Sequence, residues 1–339
     1  MDKLAQSPVL AYIRILESCN AGCMMCKFAR SKNKNVVTFD NFKKIVNDLV
    51  QIGVKEIRLT GGEPTIHKDI IPMIKYIKSL GLKTSLITNG LTLPLLAKQY
   101  EEAGLDKIIC SLDSPYVEIH NELRGKDKMF ENATLGLNLI NQYNNASIYK
   151  IDISINTVIS NKTFKSLLDF IPLLKKLGVN SWSLIQIKDN KDLELSAKEI
   201  IEYEGIANTL QKRLAETKIK LRTNCTNIFC KKINYDFDNI CFYPLCVIYI
   251  DAINNTAIPC NCLIHRQNDL LLSKIIEKGI DKIWNEPKYV EKRIAFTKVA
   301  TKTCIGCDPS NLFSNQNIIN KLKITNNEDL REMILNEIR

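Results

Sequence analysis

The sequence predicts an α/β protein whose larger part is an open, partial (β/α)6 barrel of the TIM type. Six apolar runs of strand length alternate with six stretches of helical periodicity, ending near residue 217. Such alternation produces a parallel sheet covered by helices, and six units are too few to close the eight-stranded barrel. Beyond residue 220 helical patterns become scarcer and cysteines crowd in, which indicates a second, small α+β unit.

Each element follows from a local pattern. The predicted strands are 9–16, 56–60, 82–88, 107–112, 149–159 and 181–187, and the predicted helices are 40–50, 66–80, 93–103, 129–141, 164–177 and 197–217. In the first helix Phe42, Ile45 and Leu49 recur at helical spacing, and Thr38 or Asp40 can cap its N-terminus. Three of the later helices end at a glycine, which tolerates the left-handed backbone found there.

Length, composition and charge limit the possible classes. With 339 residues, 45% of them hydrophobic, the chain can bury one large core and a smaller module. It contains no apolar run long enough for a transmembrane helix and starts without a signal-peptide pattern, so no membrane association and a cytoplasmic location are expected. In that reducing compartment the 12 cysteines indicate metal ligands rather than disulfides. The net charge of +10 comes from dispersed lysines, so no nucleic-acid surface is predicted.

Three cysteines lie together in the loop after the first strand. Cys19, Cys23 and Cys26 have C-x3-C-x2-C spacing, and the small residues Ala21 and Gly22 let the loop wrap closely around a ligand. A cubane iron–sulfur cluster has four irons and normally takes four thiolates, so three thiolates leave one iron open for chemistry. Three buried structural cysteines or half of a zinc site are the alternatives. The close spacing without a nearby histidine favours the cluster.

The second strand ends in the turn Gly61-Gly62-Glu63-Pro64, about forty residues after the cysteine loop. Its glycines permit close backbone approach, its carboxylate can bind an amine, and its proline fixes the backbone before the next helix. Together the loop and the turn resemble the radical SAM superfamily. The resemblance implies that the cysteine loop holds a 4Fe–4S cluster whose fourth iron is chelated by S-adenosylmethionine. It also implies that the turn binds the methionyl amino group.

The same resemblance assigns further positions to the nucleoside and substrate space. They are polar residues at strand ends, a methionine and an arginine: Thr88, Asn89, Ser111, Asp113, Asn156, Gln186, Met25 and Arg124. Met25 stands where the family commonly has an aromatic residue packed on the adenine, and its thioether also suits aromatic faces. Arg124 resembles an arginine that often lies near the cofactor carboxylate. Ordinary polar loop residues are the alternative interpretation.

The later cysteines predict a second metal site. A predicted hairpin connects Cys241 to Cys260, and Cys304 and Cys307 form a C-x2-C knuckle. This set resembles the twitch domain, the shorter relative of the SPASM domain, which holds one auxiliary 4Fe–4S cluster. A zinc ribbon is the alternative, and Cys246 competes with Cys241 as a ligand. The predicted units are 1–222 for the barrel, 223–317 for the auxiliary domain and 318–339 for a helical tail.

The resemblance implies an enzyme that reductively cleaves S-adenosylmethionine to methionine and a 5′-deoxyadenosyl radical, which removes hydrogen from a substrate carbon. A flavodoxin- or ferredoxin-type protein is the expected reductant. An auxiliary cluster could accept an electron from the substrate radical, which favours a net oxidation of the dehydrogenation type. The first strand begins within ten residues of the start, which leaves no room for a leading peptide-binding domain. A small polar substrate, similar to a sugar or aminocyclitol, is therefore expected.

Three alternatives remain open at this point. The enzyme could mature a peptide, or it could epimerise its substrate with a thiol hydrogen donor, for which Cys262 is the first candidate and Cys225 and Cys230 are others. The third alternative is a non-catalytic iron–sulfur or zinc module that serves electron transfer or assembly. The intact Gly61-Gly62-Glu63-Pro64 turn argues against this last alternative. The patterns say nothing about the oligomeric state.

Overall fold

The computed structural model describes residues 7–26, 29, 33–187, 190–222, 241–260, 270–303, 334–336 and 338. The side chains of Gln186 and of residues 298–303 are also outside this description. Five of the cysteines named above fall outside it: Cys225, Cys230, Cys262, Cys304 and Cys307. Among the described residues, none of the helices combines the length and the apolar character needed to cross a lipid bilayer.

A sheet with parallel strands in chain order forms the wall of a partial barrel. These strands are β1 (Leu10–Arg14), β2 (Glu56–Thr60), β3 (Lys83–Thr88), β4 (Lys107–Ser111), β5 (Asp152–Ile159), β6 (Ser181–Gln186) and β7 (Lys220–Arg222). On the other side of β1 lies β8 (Val247–Asp251), also parallel to it. The antiparallel strands β9 (Thr256–Ile258) and β10 (Leu272–Ser273) complete this edge. The order is β10-β9-β8-β1-β2-β3-β4-β5-β6-β7, so the described sheet is open between its two ends.

Helices follow most of the strands. They are α1 (Phe39–Gln51), α2 (Ile70–Ser79), α3 (Leu93–Glu102), α4 (Val117–Arg124), α5 (Met129–Ala146), α6 (Phe170–Lys176) and α7 (Ala197–Ala215). The C-terminal part contributes α8 (Tyr243–Cys246), α9 (Ile275–Lys278), α10 (Ile280–Trp284) and α11 (Pro287–Thr303). Short 3-10 turns span Pro64–Ile66, Phe164–Asp169 and Lys191–Leu193. Thr38 caps α1 by accepting a hydrogen bond from the amide of Asn41, as the sequence predicted.

The predicted α/β class and partial barrel are confirmed, with local corrections. The helix predicted from residue 66 was wrong at its start, because Pro64–Ile66 forms a 3-10 turn and α2 begins at Ile70. His67 has an extended backbone, and its Nδ1 accepts a hydrogen bond from the amide of Asp69, which interrupts the helix. Helix α4 was missed. The count of six strands was also short, since β7 and β8 extend the parallel sheet at either end.

The two faces of the sheet differ in chemistry. The outer face carries apolar residues such as Ile13 and Leu59, which are fully buried in one core with residues of the surrounding helices. On the inner face, Arg58 donates to the hydroxyl of Tyr12 at 2.8 Å and to that of Ser85 at 2.9 Å, and it pairs with Glu56 at 3.1 Å. The barrel interior is therefore polar and charged, which suits a polar ligand better than an apolar one.

Candidate active site

The cysteine loop follows β1 at the C-terminal end of the barrel and is held from two sides. On one side, the amides of Gly62 and Glu63 donate to the carbonyls of Leu16 and Ser18, both at 2.9 Å. On the other side, the amide of Gly22 donates to the carbonyl of Arg124 at 3.1 Å, and the amide of Met24 donates to the carbonyl of Leu123 at 2.9 Å. The loop thus lies between the Gly61–Pro64 turn and the C-terminus of α4.

Three glycines are needed for this close packing. A Cβ at Gly62 would lie 2.1 Å from the carbonyl oxygen of Ser18, and one at Gly61 would lie 2.7 Å from that of Leu16. Gly125, directly after α4, has φ +60 and would place a Cβ 2.4 Å from the carbonyl oxygen of Gly22. These contacts are with backbone atoms that have no room to move, so any side chain would push the loop away from its neighbours.

The three thiols share one small cluster at the barrel mouth. Cys23 is buried, and Cys19 and Cys26 are partly buried, around Met129 of α5. Burial raises the pKa of Cys19 to about 11 and also raises that of Cys23. A guanidinium nitrogen of Arg124 lies 3.9 Å from the Sγ of Cys23, and its charge opposes this shift. The thiols of Cys19 and Cys23 are therefore protonated without a metal, and they must lose their protons to bind one.

The donor set fits an iron–sulfur cluster better than a single ion. Within the described part of the chain, no three Cys, His, Asp or Glu side chains converge as the ligands of one metal ion would. The thiolates that hold a cluster bind different irons and stand further apart. Three thiols in one loop beside a buried cation match that requirement, because the cation offsets the charge of the thiolates.

Glu63 connects the turn to the next strand. Its side chain is 1% exposed, and Oε1 accepts hydrogen bonds from the amide and hydroxyl of Thr65 and from the hydroxyl of Thr88. Its Oε2 accepts from the amide of Asn89 at 2.7 Å. Burial raises the pKa of Glu63, and these donors oppose the shift. Asn89 in turn donates to Asn20 of the cysteine loop at 2.8 Å, which ties β1, β2 and β3 together at one end.

A buried ion pair supports the loop from the α4 side. Arg124 Nε lies 2.7 Å from Asp113 Oδ2, and its Nη2 donates to Oδ1 at 2.8 Å. Burial alone would lower the pKa of Arg124, but the carboxylate of Asp113 outweighs it and the pKa is raised. The amide of Asp113 donates to Nδ1 of His120, whose pKa burial lowers to about 4. Arg124 is thus fixed by Asp113 and Cys23.

Further predicted residues of the barrel lie at strand ends or beside the thiol cluster. Ser111 and Asn156 are neighbours in the register of β4 and β5, and both are partly buried. Pro64 begins the 3-10 turn, Gln186 ends β6, and Met25 packs beside the thiol cluster. Cys241 precedes α8, and its amide donates to the carbonyl of Thr297, whereas Cys260 is buried two residues after β9. Cys262, Cys304 and Cys307 lie outside the described residues, so the second metal site stays a prediction.

Sequence reasoning missed a charged group beside the loop. Arg14, at the end of β1, donates to Asp251 at 2.8 Å and to Glu17 at 3.2 Å. A charged residue at an alternating position of an otherwise apolar strand was the available signal, since such a residue points into the barrel. The role of Gly125 had no comparable signal, because it depends on a neighbour about a hundred residues away.

Comparison with protein families and curated proteins gives one consistent group. The model of the Radical SAM superfamily matches residues 13–170. An AdoMet-dependent heme synthase of Methanosarcina barkeri is 24% identical over 229 residues, which cover 66% of this chain and 64% of that protein. A probable GTP 3′,8-cyclase of Pyrococcus horikoshii is 35% identical over 115 residues, which cover 34% of this chain and 37% of that protein. The matches thus span between one third and two thirds of these relatives.

Solved structures share the fold. SuiB of Streptococcus suis, bound to S-adenosylmethionine, superposes with a TM-score of 0.65 at 17% identity over 85% of this chain and 68% of that one. The structure of anSMEcpe with bound AdoMet and a peptide gives 0.65 at 16% identity over 98% and 96% of the two chains. At these identities the likeness concerns the fold alone.

Proposed function

Since the chain belongs to the radical SAM superfamily, we propose that it is an enzyme that removes a hydrogen atom from a polar substrate held inside the barrel. Membership implies a 4Fe–4S cluster and S-adenosylmethionine, which together would supply a 5′-deoxyadenosyl radical. The relatives act on dissimilar substrates, as heme synthase and GTP cyclase, so the substrate class is argued from this chain's own residues.

The observation that carries the proposal is the network around the cysteine loop. Cys19, Cys23 and Cys26 would hold the cluster, with Arg124 beside Cys23. The Gly61–Pro64 turn would bind the methionyl group, and Glu63 keeps that turn against Asn89 and the loop. A merely structural metal site would not require a turn, a loop and a buried ion pair joined at the C-terminal ends of neighbouring strands.

Two further observations bear on the reaction. The inner face of the barrel presents Tyr12, Arg58 and Ser85, which favours a polar substrate of the sugar or aminocyclitol type. The dehydrogenation-type outcome rests on an auxiliary cluster at Cys241, Cys260, Cys304 and Cys307, of which the first two lie beside strands that extend the barrel sheet. Peptide maturation and epimerisation with Cys262 as donor are the competing reactions, and a flavodoxin- or ferredoxin-type reductant is proposed for each.

The first test uses the 339-residue protein after anaerobic reconstitution. Iron and sulfide are counted, and 5′-deoxyadenosine is measured after addition of dithionite and S-adenosylmethionine. About eight irons and clear 5′-deoxyadenosine formation are expected, since each cubane holds four irons. A Cys23→Ser variant should lose most cleavage, whereas Cys110→Ala, which changes a buried thiol of β4, should retain it. About four irons plus zinc would make the second site a zinc site, and eight irons without cleavage would favour an electron-transfer module.

The second test concerns the substrate. A perdeuterated cell extract is separated into a small-metabolite fraction and a peptide fraction, and deuterium in 5′-deoxyadenosine is measured by mass spectrometry. Transfer from the metabolite fraction is expected. Transfer confined to the peptide fraction would replace the small-substrate proposal by peptide modification.

A further inference from the structure

Two side chains direct N–H groups at sulfur atoms of the cysteine loop. Arg124 Nη1 lies 3.9 Å from the Sγ of Cys23, and Asn89 Nδ2 lies 3.9 Å from the Sγ of Cys19. Sulfur is a larger acceptor than oxygen, so these contacts are longer than N–H···O hydrogen bonds. Both donors are buried, Arg124 with 8% and Asn89 with 6% of its surface exposed. Two of the three predicted cluster ligands thus have a donor that is held inside the protein.

The orientation of the Asn89 side chain is set by its neighbours. Its Oδ1 accepts a hydrogen bond from the backbone amide of Leu91 at 3.0 Å. Because a backbone amide can only donate, the nitrogen of the Asn89 side chain must face the cysteine loop. This nitrogen carries two hydrogens, which serve Oδ1 of Asn20 at 2.8 Å and the Sγ of Cys19. The N–H group that faces Cys19 is therefore fixed by the protein itself.

Arg124 is held against Cys23 by Asp113. Its Nε and Nη2 face the two carboxylate oxygens at 2.7 and 2.8 Å, which leaves Nη1 beside the sulfur. Asp113 is fully buried and also accepts from the amide of Val158 at 3.0 Å, so the pair cannot turn to another partner without losing buried hydrogen bonds. The bidentate edge of the guanidinium is thus occupied by a carboxylate of this chain.

These contacts bear on how easily a cluster at this loop is reduced. Reduction adds one negative charge next to the thiolates, and a nearby cation and N–H groups directed at the sulfurs stabilise that charge. Burial strengthens both effects, because little water screens them. The carboxylate of Asp113 partly cancels the charge of Arg124, but it contacts other nitrogens than the one that faces Cys23.

We propose that Arg124 and Asn89 raise the reduction potential of the cluster through hydrogen bonds to the thiolates of Cys23 and Cys19, and that Asp113 limits the effect of Arg124. The inference rests on the proposed function, because it concerns the cluster that these cysteines would hold. It assigns both side chains to the cluster rather than to the nucleoside or the carboxylate of S-adenosylmethionine. One electron leaves the flavodoxin- or ferredoxin-type donor without any bond being made or broken, and the two residues set how much of the protein this donor can reduce.

The test is an anaerobic redox titration of the reconstituted protein without S-adenosylmethionine, followed by electron paramagnetic resonance. The signal of interest is the one that is absent from a triple variant in which Cys19, Cys23 and Cys26 are replaced by alanine. This subtraction separates it from the signal of any auxiliary cluster.

The variants are expected to shift the equilibrium constant of reduction in opposite directions. Arg124→Met should lower it at least about tenfold, which is a potential about 59 mV more negative. Asn89→Ala should lower it at least about threefold. Asp113→Asn should raise it at least about threefold, because the buried guanidinium then acts without its counter-charge. Lys126→Met, which removes an exposed cation two positions after Arg124, should change it by less than about twofold, since water and salt screen that charge.

The sign of the shift separates an electrostatic role from a structural one. Damage to the loop would move Arg124→Met and Asp113→Asn in the same direction, and that result would overturn the inference. An unchanged potential in Arg124→Met would also overturn it, and weakened S-adenosylmethionine binding at unchanged potential would assign Arg124 to the cofactor instead. Arg124→Lys keeps the charge and should recover at least half of the shift. If Arg124→Met fails to retain iron, Asp113→Asn and Asn89→Ala decide by the signs given above.

The same preparations separate this inference from the proposed function. If the wild type forms 5′-deoxyadenosine but the variants share its potential, the tuning role is wrong and the enzyme proposal stands. If the potentials shift as expected but no 5′-deoxyadenosine forms, the enzyme proposal is wrong and the tuning role stands.

Discussion

The buried pair of Arg124 and Asp113 offers the sharpest test of how the cysteine loop is supported. Asp113 is fully buried, contacts Arg124 through both oxygens, and also accepts a hydrogen bond from the amide of Val158. Asp113→Asn preserves the shape of the side chain and one acceptor oxygen. It removes the negative charge, so that the guanidinium of Arg124 stays buried without a counter-ion.

The expected loss follows from the burial of the pair. Removing one partner of a buried ion pair lowers the free energy of unfolding by about 3–5 kcal/mol. Because the asparagine keeps one acceptor oxygen, Asp113→Asn should lose about 3 kcal/mol. For a barrel of this size, such a loss lowers the melting temperature by about 6–12 °C. A double variant, Asp113→Asn with Arg124→Met, removes the stranded charge as well and should regain about half of the loss.

The assay is urea unfolding of the metal-free protein, with the free energy of unfolding obtained by linear extrapolation. Asp192→Asn, at an exposed position, serves as the control and should change the stability by less than about 0.5 kcal/mol. The reasoning is refuted if Asp113→Asn is as stable as this control. It is also refuted if the double variant is less stable than Asp113→Asn alone, because the cost would then not arise from the stranded charge.

Three other predictions concern the turn, its carboxylate and the neighbouring histidine. Gly62→Ala would place a Cβ 2.1 Å from the Ser18 carbonyl oxygen and should lower 5′-deoxyadenosine formation more than about tenfold. Gly205→Ala, in open space on α7, should leave that activity unchanged and raise the unfolding free energy by about 1 kcal/mol. Equal 5′-deoxyadenosine formation by the two variants would contradict the packing argument. Glu63→Gln sets an amide group against the Asn89 amide and should lower the free energy of unfolding in urea by about 1–3 kcal/mol. It should also weaken S-adenosylmethionine binding in equilibrium dialysis. An unchanged stability and affinity would mean that the carboxylate does not hold the turn. Burial lowers the pKa of His120 from 6.5 to about 4, so the unfolded chain binds a proton at a higher pH than the folded protein does. The free energy of unfolding should therefore fall by up to about 3 kcal/mol as the pH drops from 6.5 to 4. A His120→Gln variant should lack this part of the pH dependence, and a pH profile identical to that of the wild type would show that another group causes it.

The parts of the site that could be predicted from sequence are those that are contiguous in the chain. The cysteine loop and the Gly61–Pro64 turn each follow a strand, and parallel strands end on the same side of a sheet, so their proximity followed from the order of elements. The hydrogen bonds between them arise from backbone groups that every sequence supplies. In the sequence, only glycines indicate where two backbone segments approach closely, and Gly61 and Gly62 were interpreted as such positions.

The missed parts depend on contacts between distant positions or on elements too short for a periodic pattern. Helix α4 has eight residues, and β7 has three, so neither gives a periodic signal of useful length. The hairpin of β8 and β9 was predicted, with Asn255 in the left-handed region at φ 57, as its turn requires. That β8 pairs with β1 and continues the barrel sheet could not be predicted, because parallel pairing leaves no local trace.

The pairing of β8 with β1 also has a consequence for how the protein is made. One whole edge of β1 remains uncovered until β8 is synthesised, and Arg14 and Asp251 are 237 positions apart. At roughly 5–20 residues per second, the ribosome needs about 12–47 seconds to span that distance. During this interval an apolar strand edge that borders the future metal site is exposed to other nascent chains. Expression at low temperature slows elongation and lengthens this interval. Co-expressed chaperones should therefore improve the yield of intact barrel more than a lower expression temperature does.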